Sequence, residues 1–283
     1  MLRVAIQSKG RLSEQSLGLL AESGIKLPDS KRALIARAKG FDLEVLYLRD
    51  DDIPQAVAMG VADLGIAGDN VIAEKDFDVE KIMTLGFGGC RLSIAVPVAA
   101  EYGGAAWLTG KKIATSYPVI LKKWLESQGI RAGIHVIDGS VEISPAIGIA
   151  DAIFDIVSTG STLKSNGLKE VEEVMHSEAS LIANPSLTPE KKEEVRKLLF
   201  RLNSSIESRG MKYVLMNVPE SSLDRAIKIL PGMRSPTILK LAQPGWYSIH
   251  SVVPEKDLWD SIEHLKEAGA EGILVLALEN IIR

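Results

Sequence analysis

Short apolar blocks, each followed by an amphipathic stretch, make up the first third of the chain. They are RVAI at 3–6, LSEQSLGLLAESG at 12–24, LEVLYL at 43–48, IPQAVAMG at 53–60, ADLGIAG at 62–68, NVIAEKD at 70–76 and VEKIMTL at 79–85. Strand-length blocks interleaved with a helical period predict an α/β layer arrangement around a largely parallel sheet. Pro54 falls in the first turn of its helix, where a missing N–H costs little. A second series starts at RLSIAVP (91–97) and runs through KKIATSYP, the helix VILKKWLESQG, IHVID and DAIFDIV. LKEVEEVMHSEASLIANP (168–185) reads as a pair of strands, and TPEKKEEVRKLLFRLNSSIESRG (188–210) as a long connecting helix. Thr188 is placed to cap that helix, Pro189 fills its first position and Gly210 ends it.

Beyond Gly210 the order changes to strand KYVLMNV, helix ESSLDRAIKIL, strands TILKLA and WYSIHSVV, helix EKDLWDSIEHLKEAG and strand EGILVLAL. That β-α-β-β-α-β order predicts a ferredoxin-like unit, often a regulatory or assembly module, although fold alone assigns no role. No low-complexity tract or sustained internal repeat interrupts the series.

Composition narrows the function classes. With 283 residues, 46% hydrophobic and 25% charged, the chain suits two or three modest domains. No stretch reaches the roughly 18 to 20 apolar residues of a membrane span. The opening MLRVAIQSKGRL enters a strand pattern without a leader's apolar core, so a cytoplasmic location without a membrane partner is expected. A formal charge of −4 argues against a nucleic-acid partner. Cys90 is the one cysteine and reads as a small buried hydrophobe; His135, His176, His250 and His264 show no metal-ligand spacing.

The chemistry concentrates in DIVSTGSTLK, Asp155 to Lys164, where an apolar strand ends in an acidic residue and releases into a hydroxyl-rich loop. In open α/β sheets ligands gather beyond the carboxyl ends of strands. Ser158, Thr159, Gly160, Ser161 and Thr162 offer four hydroxyls and successive N–H groups, a cradle for phosphate that an acidic protein needs to hold an anion. Asp155 suits ribose hydroxyls or Mg²⁺ against a pyrophosphate. The alternative is that the serines and threonines only cap the next helix.

The longer stretch EISPAIGIADAIFDIVSTGSTL resembles the signature of the ATP phosphoribosyltransferases of histidine biosynthesis. Glu142, Gly148, Ala150, Ile153, Asp155, Ile156, Thr159, Gly160, Thr162 and Leu163 fill its fixed places. AIQSKGRL, DLGIAGDN, ATSYP and LPGMRSPT agree, and the similarity covers the whole chain, including the last domain that marks the family's long form.

The resemblance implies two catalytic domains of the periplasmic type II binding-protein fold, with the site in the cleft between them. One would comprise 1–89 and 180–207, the other 90–179, followed by a regulatory ferredoxin-like domain at 208–283. It implies transfer of the phosphoribosyl group of phosphoribosyl pyrophosphate to N1 of ATP with Mg²⁺ present, histidine as feedback inhibitor, and assembly into dimers and hexamers. Residue by residue, Asp155 and Ser158 to Thr162 would hold the sugar phosphate, with Glu142 and Asp155 near ribose and metal, though neither is a firm metal ligand. Lys9 and Arg11 would meet triphosphate or pyrophosphate, or form a solvated basic turn. Arg49 would bind ATP, or pair with the aspartates at 50–52. Asp69 would contact the nucleotide or cap a helix, and Tyr117 would lie against adenine or sit in the core. Asn217, Arg234, Ser235 and Thr237 would bind histidine; at Asn217 related long chains often carry an acidic residue, and the alternative for LPGMRSPT is a structural turn. A solute-binding module, a phosphoribosyltransferase for another base, and a catalytically weak chain kept mainly as an activator for another enzyme are the rival readings.

Overall fold

In the computed structural model, which describes residues 1–28 and 33–282, the chain divides into two compact units, 1–197 and 198–283. The first unit opens with β1 (Leu2–Gln7), α1 (Arg11–Glu22), β2 (Ile35–Arg37), β3 (Leu43–Leu48), α2 (Ile53–Ala58), β4 (Leu64–Gly68), α3 (Asp69–Lys75) and β5 (Glu80–Thr84). The chain then crosses to a second sheet through β6 (Cys90–Pro97), β7 (Lys112–Thr115), α4 (Pro118–Ser127), β8 (Gly133–Val136), β9 (Ala152–Val157), α5 (Ser161–Ser165) and β10 (Leu168–Ser177). It returns as β11 (Ala179–Ala183) before α6 (Pro189–Ser208).

The first sheet has the order β2-β3-β1-β4-β11-β5 and the second β10-β6-β9-β7-β8. In each, three parallel strands (β3-β1-β4 and β8-β7-β9) are followed by one antiparallel strand, β11 or β6, that reaches its sheet from a crossover. This is the type II arrangement, two lobes built on one plan. The repetition is of topology and leaves no trace as a sequence repeat, because a buried parallel strand asks only for apolar residues of suitable volume. The expected strand pair at 168–185 exists but is no hairpin. β10 pairs with β6, whereas β11, buried at every position, is inserted between β4 and β5 of the other sheet.

Apolar faces account for the packing. Leu92, Ile94, Val96 and Phe154 on one face of the second sheet bury Ile120, Leu121 and Leu125 of α4. Ala95, Ile153 and Val157 on the other face lie under Leu163 of α5 and Val141 of a short 3-10 turn. The lobes also meet at α3 and α4. Both carboxylate oxygens of Glu74 accept from the α4 N-terminus, at 3.0 Å from Val119 N and 3.0 Å from Ile120 N, and Lys123 pairs with Asp76 at 2.8 Å. The first amides of a helix lack intrahelical partners, so a carboxylate from the opposite lobe is an effective cap.

Thr188 accepts from the Lys191 amide at 3.4 Å, and α6 gives way to Gly210 at φ +69. The second unit, taken by itself, contains β12 (Met211–Pro219), α7 (Leu223–Ile229), β13 (Thr237–Lys240), β14 (Trp246–Pro254), α8 (Leu258–Glu267) and β15 (Glu271–Ala277). Its antiparallel sheet has the order β13-β14-β12-β15, which is ferredoxin-like. Val214, Met216, Val218 and Ile249 form a core with Ala226 of α7 and with Leu258 and Leu265 of α8.

Candidate active site

The carboxyl ends of β1, β4 and β9 converge on a cavity of about 640 Å³, lined from the first lobe by Gln7, Arg11 and Asn70 and from the second by Tyr117, Ser158 and Thr159. Arg11 is the first residue of α1, exposed just after Gly10, whose φ of +95 turns the chain from strand into helix. Lys9 is exposed two positions earlier but does not line the cavity. Arg49, at the end of β3, is exposed. The aspartates after it go elsewhere: Asp51 pairs with Lys75 at 3.4 Å and Asp50 lines the cavity.

The loop after β9 has the anticipated form. Gly160 takes φ +75, a conformation that side chains disfavour, and α5 starts at the next residue. Thr159 and Ser161 share a hydroxyl contact of 3.0 Å, and the Ser161 amide donates to Thr159 Oγ1 at 3.4 Å. Ser158, Thr159, Ser161 and Thr162 are all exposed, so their hydroxyls are not spent in the core.

Asp155 sits half-buried on β9, three residues before Ser158. One of its oxygens accepts from the Ile156 amide at 2.7 Å. Burial pushes its carboxyl up; the Ile156 hydrogen bond opposes this, and the charge of nearby Glu142 adds to it. Glu142 belongs to the 3-10 turn Val141–Ile143, half-exposed over the same sheet face. Burial pushes the Tyr117 phenol up as well, with the Asp155 charge as the second cause, and its oxygen accepts from Asn70 Nδ2 at 3.4 Å. Glu142, Asp155, Tyr117 and the hydroxyl loop therefore form one neighbourhood.

Asp69 stands apart from it. Lys81 Nζ lies 2.8 and 2.9 Å from its two oxygens and Ser180 donates at 2.6 Å, so the carboxylate ties α3 to β5 and β11. Its neighbour Asn70 occupies the cavity wall that the sequence had offered to Asp69. Cys90 also lines the cavity, half-buried, with its thiol pushed up by burial. Among the described residues no cluster of three or more His, Cys, Asp or Glu is gathered for a metal.

Sequence reasoning missed Arg91. At the start of β6, it grips Glu170 of β10 through two nitrogens, at 2.5 and 2.6 Å, and donates to the Ser158 carbonyl at 3.0 Å. In the second unit, Arg234 and Ser235 lie exposed in the loop after α7 and Thr237 opens β13. Asn217 lies two strands away on the same sheet face as Thr237, opposite the helices.

A family model described as ATP phosphoribosyltransferase matches residues 49–204, and one described as the family's C-terminal domain matches 208–280. An ATP phosphoribosyltransferase of Bacteroides thetaiotaomicron is 58% identical over 282 residues, covering 100% of both chains. The chain belongs to the ATP phosphoribosyltransferase family. Another ATP phosphoribosyltransferase, from Cytophaga hutchinsonii, is 52% identical over 283 residues, covering 100% of this chain and 99% of the relative. The ATP phosphoribosyl transferase (HisG:HisZ) complex of Thermotoga maritima contains a chain similar to this one, with a TM-score of 0.64 at 31% identity over 73% of this chain and 99% of that one.

ATP phosphoribosyltransferases are pentosyl-transferring enzymes at the first step of histidine biosynthesis, and membership sets aside a plain solute-binding module. Among the described residues no helix is long and apolar enough to cross a membrane.

Proposed function

We propose that the cleft transfers the phosphoribosyl group of phosphoribosyl pyrophosphate to N1 of ATP, giving N1-(5-phosphoribosyl)-ATP and pyrophosphate. The observation that carries the reading is the exposed hydroxyl loop 158–162 at the end of β9, with Asp155 and Tyr117 beside it and Arg11 across one cavity. The loop's hydroxyls and amides hold the 5′-phosphate. The free oxygen of Asp155, with Glu142, accepts from ribose hydroxyls. Arg11, with Lys9, meets the triphosphate or the leaving pyrophosphate, Arg49 binds ATP, and the Tyr117 ring lies against the purine.

The adenine N1–C1′ bond forms as the C1′–oxygen bond to pyrophosphate breaks. Because N1 carries no proton at neutral pH, the chain needs no general base; it positions the reactants and neutralises charge. The donor set fits Mg²⁺, which when bound supplies charge neutralisation on the pyrophosphate. A pair of carboxylates without a full protein cage suits an ion that keeps water and substrate phosphate ligands, and Glu142 and Asp155 would hold it.

We assign 1–89 with 180–207 and 90–179 as the two catalytic domains, and 208–283 as a histidine-binding regulatory domain acting through Asn217, Arg234, Ser235 and Thr237 in a dimer or hexamer. The test mixes the purified protein with ATP, phosphoribosyl pyrophosphate, Mg²⁺ and pyrophosphatase and follows the ultraviolet absorbance of N1-modified adenine. Product that histidine suppresses supports both parts; product indifferent to histidine removes the regulatory part, and no product removes the reaction.

A further inference from the structure

Arg91 is level with Val157, the last residue of β9, in the β6–β9 pairing, so its side chain emerges beside the first residue of the hydroxyl loop. Nε and Nη2 meet the two Glu170 oxygens in a fork, and Ser93 Oγ donates to Glu170 Oε1 at 2.7 Å. That fork fixes the guanidinium plane and leaves Nη1 aimed at the Ser158 carbonyl, 3.0 Å away. In a trans peptide the carbonyl and the following N–H point in opposite directions. A Ser158 oxygen drawn to Arg91 therefore turns the Thr159 N–H away from Arg91, at a position where both residues line the cavity. It also withdraws a partial negative charge from a site built for an anion.

Resting on the function proposed above, we infer that Arg91, locked by Glu170 and Ser93, is a positioning residue that orients the first peptide of the loop for the sugar phosphate and does not itself bind phosphate. Glu170 already neutralises the guanidinium, and the fork holds the Glu170 carboxyl below its ordinary range, so the pair stays ionised through neutral pH. Its influence on phosphate is thus directional more than Coulombic.

The experiment measures KM for phosphoribosyl pyrophosphate and for ATP, with kcat and thermal midpoint, in wild type, Arg91→Gln, Glu170→Gln and Ser93→Ala. Wild type without phosphoribosyl transfer would overturn the underlying reading; the comparison among variants addresses Arg91 itself. Arg91→Gln is expected to raise KM for the sugar phosphate about tenfold or more and leave KM for ATP within about twofold. Glu170→Gln shifts it in the same direction, and the Arg91→Gln/Glu170→Gln double variant, measured alongside, does little worse than the worse of those two single ones, because the residues act as a unit. Tighter sugar-phosphate binding in Glu170→Gln would make the released guanidinium a direct ligand and overturn the inference, as would a folded Arg91→Gln with wild-type KM. Should Arg91→Gln fail to fold, Ser93→Ala decides: a rise of about two- to threefold in the same KM alone supports the inference, and no change refutes it.

Discussion

Asp155→Asn isolates one charge in the cleft while preserving shape. Asparagine can still accept the Ile156 amide, now 2.7 Å from Asp155 Oδ1, so the local backbone keeps its partner. What disappears is a half-buried carboxylate whose charge is disfavoured by burial and by Glu142. Its free oxygen would otherwise make a charge-assisted bond to substrate, worth about 1.5–3 kcal/mol, or roughly ten- to a hundredfold in kcat/KM for phosphoribosyl pyrophosphate. Stability should be preserved or slightly improved, because the folded state sheds a desolvated charge.

The pH dependence has a definite sign. Asp155 is raised in the folded state above the ordinary value of 3.8, so between the two values the native protein holds more protons than the unfolded chain. Its contribution to stability is therefore lost as pH rises through that window, and Asp155→Asn should abolish this component of the fall. The pyrophosphatase-coupled absorbance assay gives the kinetics and urea titrations across mildly acidic pH give the stability. Unchanged kcat/KM, or a stability profile identical to wild type, would refute the placement of Asp155 as a desolvated ligand of the sugar.

Other perturbations probe neighbouring claims. Glu74→Ala strips the cap from α4 and should cost about 1–2 kcal/mol, with faster hydrogen exchange at the Val119 and Ile120 amides. Gly160→Ala meets no steric block, its nearest atom being Val157 Cγ1 at 3.9 Å, but must adopt φ +75 at about 1–2 kcal/mol; KM for the sugar phosphate should rise severalfold and the thermal midpoint should fall by a few degrees. Asp63→Ala abandons the Arg3 amide (2.9 Å) and Lys191 (2.6 Å), and should lower stability by about 2–3 kcal/mol, read as a lower urea midpoint at an unchanged m-value.

What the sequence could disclose follows the range of its signals. Strands such as DAIFDIV, the hydroxyl loop and the βαββαβ unit are written in contiguous residues, and the structure has them where the pattern put them. Pairings are not contiguous. Asp69 was visible as an acidic residue at a strand end, but the partners that hold it, Lys81 and Ser180, depend on β11 entering the first sheet. Arg91 and Glu170 lie 79 positions apart, and nothing local marks either as the other's partner. A strand pair at 168–185 was legible; that its members serve different sheets was not, because alternation of apolar residues fixes a face and leaves the neighbour open.

The placement of β11 between β4 and β5 sets an order of events during synthesis. β5 ends at Thr84, yet the strand that joins it to the first sheet begins at Ala179. A nascent chain that has released only its first ninety residues thus carries β4 with an open edge and β5 without a neighbour. The second lobe must leave the ribosome before the first can close. For this chain the natural unit of folding is the whole span to Ala183, and a stalled or truncated product ending between the lobes would be the form most exposed to aggregation.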